Sequence, residues 1–115
     1  MTSITIEGNE VLALHRMLYK RKFLDGPTDE FFGSPLIAAV QRRLLAALAQ
    51  DDPEDWAVWE STVPSHVTDR IATHTGTESS RWWDGASETD RAAFVADCAA
   101  PHTLTTDTIE SLVRR

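Results

Sequence analysis

Cysteine is almost absent. Cys98 is the one thiol in 115 residues, so no intrachain disulfide can form, and the sequence fits a reducing, intracellular compartment. The N-terminus, MTSITIEGNE, has no apolar run behind a positive charge and therefore no visible secretory signal. Together these predict a cytoplasmic protein. Long apolar runs are also missing. Charge interrupts every hydrophobic stretch within a few residues, which excludes a membrane-spanning helix. There is no repeat, no low-complexity tract and no linker long enough to separate domains, so residues 1–115 read as a single helical domain.

The motifs of common chemistries are missing as well. The chain holds no glycine-rich phosphate loop, no nucleophile elbow, no paired zinc-ligand motif and no Glu-x-x-His pair for a di-iron bundle. No metal and no cofactor is expected. The absence of catalytic motifs favours a binding role over an enzyme.

What is present is an ordinary globular balance, 42% hydrophobic and 25% charged, with a lopsided charge. Residues 1–50 carry six basic and five acidic side chains, whereas residues 51–115 carry five basic and 13 acidic ones. The net charge of -7 disfavours non-specific binding to nucleic acid or anionic membrane and suits a partner with a basic surface. One basic run stands out against it: Arg16, Lys20, Arg21 and Lys22, which Arg42 and Arg43 extend if the first two helices pack side by side. That patch is the case for a nucleic-acid-linked regulator. The net charge and the lack of a helix-turn-helix pattern stand against it.

The periodicity is helical almost throughout. Residues 3–7 alternate polar and apolar, giving either an extended arm on the helices or a strand paired with a second copy of the chain in a homodimer. A first helix is predicted over Asn9–Leu24, capped by Asn9, with Val11, Leu14, His15 and Leu18 on one stripe and a stop at Asp25-Gly26-Pro27. A second starts at Ser34-Pro35 and buries Ile37, Val40, Leu44 and Leu48. Asp52-Pro53 opens a third, with Trp56, Trp59 and Val63 on its apolar face, and Ser65–Thr75 forms a fourth that stops at Gly76. Residues 77–86 form a loop. A helix from Ser87 buries Phe94, Val95 and Cys98 and ends before Pro101, and a last one starts near Asp107 in a capping box with Glu110. The expected architecture is all-α, a compact bundle of five or six helices with a short extended N-terminal arm.

Histidines and aromatics are the remaining candidates for chemistry. His66 and His74 lie eight residues apart on one helix, about 12 Å, too far to share a metal, and form a polar helix edge. His15, on an apolar stripe, is expected to be partly buried and hydrogen-bonded. Cys98 and His102 are four apart, but Pro101 breaks the helical register between them, so Cys98 reads as a buried small hydrophobe. The acid cluster at residues 51–55 compensates a helix dipole. Trp82-Trp83 is less ordinary. Two adjacent indoles cannot both face one core, and Arg81, Trp82, Trp83 and Asp84 form a candidate partner-binding loop, with Glu78, Asp84 and Glu88 to steer a basic partner. The sequence therefore points first to a non-enzymatic, accessory, regulatory or immunity-type module that binds another protein. Second comes a small enzyme or ligand-binding protein with an inter-helix pocket lined by aromatics and histidines, and third the nucleic-acid-linked regulator.

Overall fold

A computed structural model describes residues 2–77 and 80–114, and helix is the only regular structure among them. The helices are α1 (Gly8–Phe23), α2 (Pro35–Asp51), α3 (Pro53–Trp56), α4 (Val58–Ser61), α5 (Ser65–Thr77), α6 (Ser80–Gly85), α7 (Glu88–Ala99) and α8 (Thr106–Val113). None is long and apolar enough to cross a membrane. In the packing order, α1 lies on α2, α2 on α7, and α7 on α5 and α8, while α5 also touches α1, α6 and α8.

The helix starts follow local chemistry. Ser34 Oγ accepts from the Ile37 amide, Asp52 Oδ1 from Asp55, Ser87 Oγ from Asp90 and Thr105 Oγ1 from Thr108, each satisfying an orphan donor of a first turn. Two starts differ from expectation. α1 is capped at Glu7, whose amide donates to Glu10 Oε1 at 2.9 Å, so Asn9 lies inside the helix. α8 is capped at Thr105, which displaces the expected Asp107–Glu110 box.

The helix count exceeds five or six for two reasons. The expected third helix divides at Ala57 into α3 and α4, and residues 80–85 of the expected loop wind into α6. α5 runs through Gly76 rather than stopping there. Residues 2–7 hold no strand. Only Ile6 of this segment packs on the core, while Ile4 stands 82% exposed.

Two apolar clusters make the core. The larger joins Phe23, Phe32, Val67, Ile71, Trp83, Val95, Cys98, Leu104, Leu112 and Val113; the smaller joins Val11, Leu44 and Leu48, with Ile6, Leu14 and Trp56 packed on it. Gly33 is fixed by this packing, because a Cβ there would stand 2.3 Å from the Phe94 ring. α2 buries Ala38, Gln41, Leu44, Leu45 and Leu48, so its inner face is rotated from the expected stripe and Val40 is 41% exposed.

The reason for the rotation is polar. Lys22, expected on a solvated patch, is buried. Its Nζ donates to Gln41 Oε1 at 2.8 Å, to the Asp97 carbonyl at 2.7 Å and to the Ala100 carbonyl at 2.8 Å. The last two acceptors lie at the C-terminal end of α7, where the helix dipole favours a cation, and the Asp97 carbonyl also accepts the Ala100 amide. Burial pushes Lys22 down to about 7, with Arg42 pushing the same way and the Cys98 and Asp97 groups opposing. Three converging oxygens match the three N–H donors of an ammonium and hold the charged form in place.

The same arrangement recurs. Arg42 donates to the Ala96 carbonyl and to the Asp97 carboxylate at the same helix end. Arg70, from α5, donates to the Lys22 and Asp25 carbonyls and closes the C-terminus of α1. Arg91, from α7, donates to the Trp83 and Asp84 carbonyls and closes α6. Cations of one helix thus satisfy the exposed carbonyl ends of another, which ties secondary structure to tertiary packing.

The smaller cluster makes a direct test. Leu44→Ala should cost about 2–5 kcal/mol in urea-induced unfolding, because it opens a cavity among Val11 and Leu48. Val40→Ala, on the solvent side of the same helix, should cost less than about 1 kcal/mol.

Candidate functional sites

The tandem tryptophans separate as two adjacent residues must. Trp83 is buried in the main cluster, whereas Trp82 is 48% exposed. The Trp82 ring leans on Phe94 with centroids 5.0 Å apart, and Trp83 carries the Arg91 guanidinium over its face at 5.1 Å. Arg91 also bonds the carbonyls of Trp83 and Asp84, so the exposed indole projects from a fastened turn. Asp84 and Glu88 are exposed beside it. Of Arg81 only the helical backbone is described, and Glu78 and Arg115 lie outside the described residues.

The basic run has three fates. Lys22 is buried as a helix clamp, Arg21 pairs with Asp29, and Arg16 and Lys20 remain exposed. Arg42 pairs with Asp97, so the side-by-side packing of α1 and α2 does not extend a patch through it. Sequence pattern alone had no signal for this, because the acceptors for Lys22 come from α2 and from the end of α7, remote in the chain.

Beside Arg21, a cleft of about 270 Å³ opens between α1, the 28–33 connector and α2. Leu18, Phe31, Phe32 and Ile37 give it an apolar wall, and the Arg21–Asp29 pair contributes to its lining. Phe31 is 54% exposed, while Phe32 turns inward to the core.

A cluster that periodicity did not assemble lies on the other side of α1. His15 and Tyr19, one turn apart, meet Trp56 of α3, Trp59 of α4 and His102 from the turn after α7. His15 stands edge-on to Trp56 at 5.3 Å and to Trp59 at 5.0 Å, Tyr19 stands edge-on to Trp59 at 5.1 Å, and Trp59 stacks on His102 at 4.7 Å. Tyr19 Oη and His102 Nε2 are 3.0 Å apart. The i, i+4 and i, i+3 spacings of His15/Tyr19 and Trp56/Trp59 were the available signal. The contribution of His102 was not visible.

The titratable groups here are tuned toward neutrality. Burial, followed by the nearby charges of His66, His15 and Lys22, pushes His102 down to about 4, partly offset by the Trp59 backbone carbonyl. Burial and then Arg16 lower His15, and burial raises the Tyr19 phenol. The Tyr19 hydroxyl and the His102 ring share this hydrogen bond, with the donor set by the tautomer of the neutral imidazole. Cys98 is fully buried and its thiol is pushed up to about 12 by burial, which makes it a packing residue rather than a nucleophile. The fourth histidine corrects the sequence expectation: His66 is exposed, but His74 is buried, with Nδ1 2.7 Å from Thr28 Oγ1 and its ring between Phe32 and Phe94.

The lowered His102 value sets a sign for acid stability. Between its ordinary value of 6.5 and its folded value of about 4, the unfolded chain binds more protons than the folded one. The contribution is therefore fully present above pH 6.5 and lost as pH falls through 4. Urea unfolding across that window should show a loss at this site of up to about 3 kcal/mol, absent from His102→Gln. Parallel pH profiles for the two proteins would contradict it.

No family model, no curated protein and no solved structure matches this chain, so the chemistry open to these surfaces rests on the residues themselves.

Proposed function

We propose that the chain is a non-enzymatic helical module that binds another protein, with Trp82 as the anchor of the interface. The observation that carries this is the half-exposed indole on a turn whose carbonyls are bonded by Arg91. An exposed indole loses contact with water at little entropic cost when a partner covers it, and it brings a large area with only two rotatable side-chain bonds. Rigid support from Phe94 and Trp83 means that little ordering remains to be done on binding. The exposed carboxylates of Asp84 and Glu88 supply the sign of the field, so the partner surface that fits is basic and apolar.

The experiment is a comparison of three proteins. Trp82→Ala should keep its unfolding midpoint close to that of the wild type and lose at least ~2 kcal/mol of affinity for the partner retained by the wild type. Trp83→Ala should lower stability by about 3–5 kcal/mol, because it empties a portion of the main core. Leu36→Ala, exposed on α2, should change neither. If Trp82→Ala binds as the wild type does, the interface lies elsewhere and the proposal fails.

A further inference from the structure

Nine of the eleven lysines and arginines have described side chains. Six of them are engaged by carbonyls or carboxylates: Arg21, Lys22, Arg42, Arg70, Arg91 and Arg114. Among the described residues, Arg16, Lys20 and Arg43 have no such partner, although the chain as a whole carries -7. Arg16 and Lys20 stand one turn apart on α1 and both line the same groove. Its apolar surface comes from Leu24, Tyr19, Trp56 and Trp59, with His15 beneath, and no described carboxylate lines it.

Its volume is about 350 Å³, at the small end of ligand-sized clefts, which run from about 300 to 1,000 Å³. The ring contacts that build it are edge-on or tilted, and Trp59 is backed by the stacked His102 ring, so the aromatic surface is formed before anything binds. Leu24, in the lining, is 60% exposed. An apolar surface beside two unpaired monocations selects a molecule with an apolar body and one negative group. A multiply charged phosphate would bring more charge than so apolar a lining can solvate.

We propose that this groove binds a small hydrophobic carboxylate, its apolar body on Trp56, Trp59 and Leu24 and its carboxylate between Arg16 and Lys20. The carboxylate gains charge-assisted hydrogen bonds from two side chains already held on one helix face. The site lies on α1, α3 and α4, apart from the α6 turn, and does not depend on the role given to Trp82.

Naphthylacetate and its uncharged counterpart naphthylacetamide are suitable probes, titrated into the full chain while the indole N–H resonances of Trp56, Trp59 and Trp82 are followed by NMR. The acid should shift Trp56 and Trp59 saturably and leave Trp82 in place, and the amide should bind at least about tenfold more weakly. The double variant Arg16→Gln, Lys20→Gln should weaken the acid by at least about tenfold, whereas Arg43→Gln should leave it within about twofold. Circular dichroism confirms that the exposed substitutions leave the helices intact. Should the double variant fail to fold, the acid-to-amide comparison on the wild type still decides. The proposal is overturned by no saturable shift up to ~5 mM, by equal affinity for acid and amide, or by a folded double variant that binds like the wild type. A response to an acidic peptide with none to naphthylacetate overturns it equally.

Discussion

One ammonium group organises this fold. Lys22 Nζ sits where α1, α2 and the end of α7 meet, and its three donors close on Gln41 and on the Asp97 and Ala100 carbonyls at the end of α7. Removing a charge from water is costly, and the cost is offset here only because every donor is used and the helix dipole of α7 points its negative end at the group. The burial of Gln41, the rotation of α2 and the approach of Ala100 to α1 all accompany that one contact. Arg70 then bonds the carbonyl of Lys22 itself, so the clamp on α7 is built onto a helix end that is clamped in turn.

This use of cations shapes the surface as well as the interior. Of the side chains that would make a basic patch, Lys22 is drawn inward to carbonyls, while Arg21 and Arg42 stay exposed and pair with the Asp29 and Asp97 carboxylates. A nucleic-acid role loses its footing for that reason: of Arg16, Lys20, Arg21 and Lys22, only the first two remain unpaired at the surface. Those two flank aromatic rings rather than a broad positive face, which suits a compact anionic ligand better than a phosphate backbone. The α6 turn offers the opposite combination, an exposed indole among carboxylates.

The sequence was legible where chemistry is local. Ser34, Asp52 and Ser87 announced helix starts because a cap acts on an amide two or three residues away. Leu44, Leu48, Phe94's neighbour Val95, and Cys98 were identifiable as buried from period alone. The same logic foresaw that Trp82 and Trp83 must point different ways. It failed where a side chain answers to a distant element. Lys22 looked like one more cation at a helix terminus, His74 like a polar edge, and Gln41 lay off the predicted apolar stripe of its helix. Each is buried because its environment comes from residues far away in the chain: Asp97 and Ala100 for Lys22, Lys22 for Gln41, Thr28 and Phe94 for His74. The aromatic groove was half visible in the spacings on α1 and around Trp56, and the element that closes it, His102, was not.

The Lys22 ammonium holds α1, α2 and α7 together through its three oxygen contacts. Urea unfolding of Lys22→Met at pH 6 isolates this contact, since methionine keeps much of the apolar stem and removes all three donors. Leaving the Gln41 and Ala100 oxygens without a donor, and the Asp97 carbonyl with the Ala100 amide alone, should lower stability by at least about 2 kcal/mol. A change smaller than about 0.5 kcal/mol would mean that the cost of burying the charge cancels its bonds and that packing alone sets this fold.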